Sequence, residues 1–262
     1  MAELLFWPAL IAYGEAAVAY AGNARHPGRA GRLATWGVRL GWLAQSALLA
    51  VQAERTDGFP WDTWAGSLDL FVWLVVSAYL FWGCRSRYRL LGLAVMPPAV
   101  GLLVAAWLGG ATRTRLNDAY SSTFLAIHVG LVLAAFAGFT LSAGLAALYL
   151  WQERRLKLRR PGTLLGRAPS LVTLDALEGR VVAFAVPALT GGIVAGFVRL
   201  RSQGGSIDAL MVVTLLTWAV FAGYLLLRHG AGWRGRRAAY VVLAGFALVV
   251  VARLGLPLTH FT

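Results

Sequence analysis

Long apolar runs alternate with short polar and basic segments along the whole chain of 262 residues. An α-helix rises about 1.5 Å per residue, so about 20 apolar residues cross a bilayer. The pattern predicts an all-α polytopic membrane protein with eight transmembrane helices, which lie at residues 4–21, 35–51, 65–82, 90–108, 123–151, 181–200, 207–227 and 238–254. The fifth run, TFLAIHVGLVLAAFAGFTLSAGLAALYLW, ends abruptly in the charged segment QERRLK.

Basic residues concentrate in alternate connections between these runs. The loops after spans 1, 3, 5 and 7 hold most of the Lys and Arg, which the positive-inside rule places on the cytoplasmic side. Both termini are therefore predicted on the outer side. We predict one transmembrane domain over residues 1–262, with a cytoplasmic basic amphipathic loop at residues 152–179 and an outer aromatic loop at residues 54–64. The first part of the basic loop is expected to continue helix 5, and residues 170–178 to form a separate short amphipathic piece.

Composition narrows the function classes. The chain is 59% hydrophobic and 13% charged, and its net charge of +13 lies in orientation signals rather than in a nucleic-acid-binding surface. The chain has one cysteine, Cys84, and no CxxCH, which argues against covalent c-type haem attachment to this chain. It also lacks a GxSxG elbow, a Walker loop and a zinc-type ligand set. Glu15, inside span 1, is either a functional group or a hydrogen-bonded packing residue.

Two of the four histidines are candidate ligands. The predicted topology places His128, near the start of span 5, and His260, near the C-terminus, at the same outer depth, whereas His26 and His229 lie among arginines in cytoplasmic loops. Two neutral imidazoles on opposite sides of one site can ligate a haem iron. The alternative is that His128 hydrogen-bonds a neighbouring helix and that His260 is part of a frayed tail.

The predicted outer loops offer groups that a non-covalent b-type haem requires. An apolar slot with aromatic walls and a few cations for the propionates is typical of such sites. The candidates are Phe59, Trp61 and Trp64 for stacking, and Arg55, Arg113, Arg115 and Arg201 for the propionates.

Most of the chain resembles the integral-membrane cytochrome c assembly family of the CcsA/CcmC type. The resemblance covers roughly residues 35–262 and rests on HVG opening span 5, on GFPWDTWAGSLDLFVW at residues 58–73, and most specifically on WRGRR at residues 233–237 followed by span 8. It implies haem handling at the outer face, with His128 and His260 as axial ligands. Asp208 matches the aspartate that closes the family's tryptophan-rich outer segment.

The chain departs from the family pattern at three places. The haem lyases carry WGxxWxWD before span 7, but residues 201–208 here read RSQGGSID and contain no tryptophan. Gln45 stands about where an intramembrane histidine is often found, and Asp69 where a glutamate is usual. These departures make the chain similar to the short, HemX-like branch, which is implicated in haem biosynthesis control and cytochrome assembly rather than in thioether formation.

These observations leave three hypotheses for a protein of the bacterial cytoplasmic (inner) membrane. The first is a haem-binding protein of cytochrome c maturation, which acts with other maturation membrane proteins and is not an enzyme by itself. The second is a membrane scaffold or regulator of haem biosynthesis, whose cytoplasmic basic loop contacts a soluble haem-biosynthesis enzyme or, alternatively, anionic lipid. The third, a small-molecule transporter lined by Glu15 and span 4, lacks support from an inverted repeat.

Overall fold

The computed structural model describes residues 2–25, 30–55, 64–83, 89–111, 123–158, 169–203 and 209–250. These residues form eight α-helices and no strand. The helices are α1 (Ala2–Arg25), α2 (Ala30–Arg55), α3 (Trp64–Ala78), α4 (Arg89–Leu108), α5 (Thr123–Lys157), α6 (Leu171–Gln203), α7 (Ala209–Gly230) and α8 (Arg236–Val250), and a π-helical turn at Tyr79–Gly83 follows α3.

The helical architecture follows from the apolar composition, because a backbone in lipid must satisfy its hydrogen bonds within its own segment. Six of the described helices, α1 and α3 to α7, are long and apolar enough to cross a membrane. The predicted class, an all-α multi-pass membrane protein, is confirmed. α2 carries Arg32, Arg39, Gln45 and Gln52, and α8 is described over only 15 residues. The count of eight spans and the outer position of both termini stay predictions.

The described helices form two compact units. In the first unit, α1 packs against α2 and α4, and α3 packs against α4. Glycines allow this close approach: a Cβ at Gly41 would lie 2.6 Å from the ring of Tyr13, and one at Gly92 would lie 2.5 Å from the ring of Tyr20. Tyr79 donates a 2.8 Å hydrogen bond to Tyr20, which links the π-helical turn to α1.

The second unit consists of α5 to α8, in which α5 packs against α6 and α8. Phe139 of α5 and Phe221 of α7 stack with centroids 3.7 Å apart, and a Cβ at Gly245 of α8 would lie 2.7 Å from the Phe221 ring. The small residue at position 245 therefore lets α8 close over this aromatic pair.

Helix α6 corrects one sequence-based expectation. Residues 171–178 do not form a separate amphipathic piece, because α6 runs unbroken for 33 residues from Leu171 to Gln203. The predicted continuation of helix 5 is confirmed as far as Lys157. Gly179 lies inside α6, where its missing side chain makes room for a guanidinium: a Cβ there would lie 2.4 Å from Nε of Arg228.

A buried ion pair holds the turn between α7 and α8. Arg228 donates to both carboxylate oxygens of Asp175, with Nη2–Oδ2 at 2.8 Å, and to the Asp175 carbonyl, also at 2.8 Å. Asp175 also accepts a 2.7 Å bond from the backbone N–H of Gly235. Arg228 further donates to the Tyr224 hydroxyl, which donates to Glu178. Because a buried charge must be paired, this network fixes the turn against α6.

Gly235, the centre of the WRGRR segment, has a structural role in this turn. Its φ of +67° lies in the left-handed region, and a Cβ there would lie 2.7 Å from the Tyr149 hydroxyl of α5. Gly232 has the same φ of +67° but open space around it. Both glycines therefore need a left-handed backbone conformation, and only at Gly235 would a side chain also overlap a neighbour.

We expect Gly235→Ala to lower the unfolding temperature in detergent more than Gly232→Ala. Left-handed strain costs each variant about 1 kcal/mol, and the overlap with Tyr149 adds to it at position 235 alone. Combining Gly235→Ala with Tyr149→Phe should recover part of the loss, as followed by tryptophan fluorescence on heating. Equal losses in the two single variants would show that the Tyr149 contact does not restrict position 235.

Candidate functional site: the His128 imidazole between α5 and α6

His128 lies in the second turn of α5, on the side that faces α6, and its side chain is half-buried. About 23 residues separate it from Trp151, near the charged end of the same helix, which is about 35 Å at 1.5 Å per residue. That length matches the hydrocarbon thickness of a bilayer, about 30 Å. If the basic segment lies beyond one membrane boundary, as the sequence predicts, the imidazole is expected near the other.

The imidazole is oriented by a backbone group of α6. Nδ1 of His128 lies 2.7 Å from the carbonyl oxygen of Gly192. A carbonyl oxygen only accepts, so Nδ1 carries the hydrogen in this bond. In the neutral ring the lone pair then belongs to Nε2, and a nitrogen lone pair of this kind is what ligates a metal. The alternative expectation, that His128 hydrogen-bonds a neighbouring helix, is thus met, and this bond is compatible with metal binding.

Glycines make room for the ring. A Cβ at Gly196 would lie 2.7 Å from Cε1 of His128 and 3.3 Å from Nδ1, while one at Gly192 would lie 2.7 Å from the side chain of Val132. Farther along the same seam, a Cβ at Gly138 would lie 2.9 Å from Cβ of Ala185. Gly192 and Gly196 therefore permit the close approach of α5 and α6.

Most of the other predicted site residues lie outside what the structure describes. This applies to His260, Asp208, Phe59, Trp61, Arg113 and Arg115, and to the side chains of Arg55 and Trp64. Within the described part of the chain, no three His, Cys, Asp or Glu residues cluster as a metal site.

Three further residues from the sequence-based argument are described. Arg201 is exposed, and its guanidinium lies 4.9 Å from the centroid of Phe197. It is about 140° around α6 from Gly196, so it emerges on a different face from the one that meets His128. Glu15 lies on the exposed face of α1 rather than in the core. His229 lies in the last turn of α7, exposed, with Nδ1 2.9 Å from the Leu225 carbonyl.

The first unit contains a buried polar cluster that sequence reasoning missed. Tyr13 of α1 donates a 2.9 Å bond to Oε1 of Gln45 in α2, whose Nε2 donates to Asp69 of α3, at 2.7 Å to Oδ1 and 3.1 Å to the backbone carbonyl. Gln45 and Asp69 are almost completely buried. Both are positions at which the chain departs from the pattern of the family that it resembles, and this shared departure could have linked them.

This cluster explains the glutamine at position 45. Its amide donates at one end and accepts at the other, which joins three helices through a residue where the family often has a histidine. Oδ2 of Asp69 is buried and has no hydrogen-bond partner among the described residues. The position therefore has a packing role that uses both ends of its amide.

Residues 61–261 match the family model described as "Cytochrome C assembly protein", which covers well over half of the chain. The chain belongs to the cytochrome c assembly protein family. The matched range contains α3 to α8, including His128, its partners on α6 and the WRGRR turn. The cytochrome c assembly role predicted from the sequence is confirmed at this level.

Curated relatives support the assignment over most of the chain. Cytochrome c biogenesis protein CcsA of Gloeothece citriformis (strain PCC 7424) is 28% identical, with 86% of this chain and 84% of that protein covered. CcsA of Synechococcus elongatus is also 28% identical, with the same coverage, and CcsA of Gloeobacter violaceus is 25% identical over 81% of this chain and 80% of its own length. The narrower HemX-like assignment stays a prediction, because these relatives carry the CcsA name.

We expect Gln45→Leu to destabilise the first unit by about 1 to 3 kcal/mol, because it leaves Tyr13 and Asp69 buried without their shared partner. The control is Asp69→Asn, because asparagine keeps an oxygen that can accept a hydrogen bond from Gln45. Thermal unfolding in detergent should give a clearly lower midpoint for Gln45→Leu than for Asp69→Asn. Equal midpoints would contradict a stabilising role for the Gln45 bridge.

Proposed function

We propose that this protein handles haem in cytochrome c maturation and that His128 is an axial ligand of the haem iron through Nε2. The observation that carries the proposal is the 2.7 Å contact between Nδ1 and the Gly192 carbonyl. Metal-ligating histidines commonly donate their other ring N–H to a carboxylate or a backbone carbonyl, which fixes the tautomer and raises the basicity of the ligand. The His128 environment fits this requirement.

Two glycines of α6 position the His128 ring. Gly196 leaves room for the imidazole against α6, and Gly192 supplies the acceptor while it allows Val132 to approach. A bound haem supplies an iron centre that accepts imidazole nitrogens. The chain's own contribution is to present one nitrogen, already in the correct tautomer, at a membrane boundary.

His260 is proposed as the second axial ligand, on the strength of the family resemblance and the predicted outer position of the C-terminus. Phe59, Trp61 and Trp64 are proposed as stacking groups, with Arg55, Arg113, Arg115 and Arg201 as propionate partners and Asp208 as part of the site. Arg201 has an exposed guanidinium that can reach a ligand, but from a face of α6 other than the one that meets His128. Other maturation membrane proteins are proposed partners.

The most direct test is His128→Gly, with His229→Gly as the control. His229 is also bonded to a carbonyl through Nδ1, but it is exposed at the last turn of α7. We expect haem added to purified His128→Gly protein to bind at least about tenfold more weakly than to the wild type, and free imidazole to restore part of the binding. His229→Gly should match the wild type. Unchanged binding in His128→Gly would remove His128 as a ligand.

A second test moves the imidazole without removing it. We expect Gly196→Ala to weaken haem binding by about tenfold and to change the absorption spectrum, because its Cβ would occupy the space of Cε1 of His128. Gly130→Ala is the matched control, since Gly130 lies two residues from His128 on α5 with nothing within 4 Å of its Cβ position. If the two alanine variants bind haem with the same spectrum and affinity, the α6 contact does not position the ligand.

A further inference from the structure

We propose that the second unit binds the phosphate headgroups of anionic phospholipids at a patch formed by the α7–α8 turn and the start of α8. We call it the arginine–aromatic patch. It is formed by Trp233, Arg234, Arg236, Arg237 and Tyr240. The proposal is independent of haem, and it uses no residue of the His128 site.

Contacts with α5 and α6 hold the patch in place. The Cβ position of Gly235 lies 2.7 Å from the Tyr149 hydroxyl, so the turn lies directly against the last turns of α5. The bond from the Gly235 N–H to Asp175 holds the turn in this place. The patch therefore belongs to a fixed part of the unit.

Two arginines of the patch lie over aromatic rings. The guanidinium carbon of Arg236 is 5.4 Å from the ring centroid of Tyr240, and that of Arg237 is 6.0 Å from that of Trp233. Nε and Nη2 of Arg236 also donate to the Tyr240 hydroxyl, at 3.3 and 3.2 Å, so Nη1 of Arg236 and the guanidinium of Arg237 are the groups that can donate to phosphate oxygens. These contacts limit the rotamers of both side chains, which lowers the entropy lost when an anion binds.

Among the described residues, no carboxylate forms an ion pair with an arginine of the patch. The two ion pairs found there use Asp175 for Arg228 and Glu153 for Lys157, the latter at 2.7 Å. Arg234, Arg236 and Arg237 are exposed and take part in neither pair. An anion from outside the chain is the complement that this surface lacks.

The surroundings favour a lipid headgroup over a soluble partner. Exposed apolar side chains lie on the helices that meet this turn: Leu226 of α7 is 75% exposed and Leu156 of α5 is 49% exposed, and Tyr240 within the patch is 50% exposed. Such side chains in membrane-spanning helices face acyl chains, while tryptophan and tyrosine gather at the headgroup level. The arginines thus lie where the apolar surface ends, which is the depth of lipid phosphates.

The test measures binding of phosphatidylglycerol and phosphatidylcholine to the delipidated, detergent-purified full chain by native mass spectrometry. The test variant combines Arg234→Gln, Arg236→Gln and Arg237→Gln. The control variant combines Arg32→Gln, Arg39→Gln and Arg180→Gln, which removes the same charge from exposed arginines, one of them also stacked on an aromatic ring. We expect wild type and control to bind phosphatidylglycerol at least about tenfold more tightly than phosphatidylcholine, and the test variant to lose this preference.

The proposal is overturned if wild type binds both lipids equally, or if the test variant keeps the preference. It is also overturned if the test variant loses a co-purifying soluble acidic protein while its lipid binding is unchanged, since the patch would then be a protein contact. If the test variant cannot be purified, the salt dependence of lipid binding to the wild type is measured instead. Salt should weaken phosphatidylglycerol binding and leave phosphatidylcholine binding unchanged, and insensitivity of both would contradict the proposal.

Discussion

The close approach of α5 and α6 is the constraint on which the candidate site depends. Lipid is as apolar as a leucine side chain, so helices in a membrane associate through tight packing and hydrogen bonds rather than by escaping water. Gly138, Gly192 and Gly196 each lie where a Cβ would overlap the partner helix. At the first two, the partner is an aliphatic side chain, but at the third it is the imidazole of His128. The same packing that joins α5 and α6 therefore positions the imidazole of His128.

Buried polar groups in both units form hydrogen bonds between helices. Gln45 connects α1, α2 and α3 in the first unit, and Asp175 connects α6 to α7 and to the following turn in the second. A polar group in an apolar bundle is costly unless it is paired, so each such residue restricts which helix faces can meet. The His128 bond to Gly192 belongs to this class, but its second ring nitrogen has chemistry that an amide or a carboxylate bridge lacks.

The sequence predicted the helices well, because a run of apolar residues long enough for the bilayer allows few other structures. It did not predict that α6 continues through Gly179, because glycine normally weakens a helix and the guanidinium of Arg228 that fills the space comes from a distant part of the chain. The Tyr13–Gln45–Asp69 bridge was missed for a similar reason, since its members lie on three helices whose facing sides the sequence does not specify. For the site, the sequence indicated His128, whereas its tautomer required the position of the Gly192 carbonyl.

His128 is proposed to present Nε2 to a haem iron, together with a second imidazole. The most direct measurement is the absorption spectrum of the detergent-purified wild-type protein, oxidised and reduced, with a haem assay on the same sample. If two axial imidazoles hold the iron, we expect a Soret band and sharp α and β bands on reduction, as for other low-spin iron. A spectrum without these bands, even after haem is added back, would contradict it.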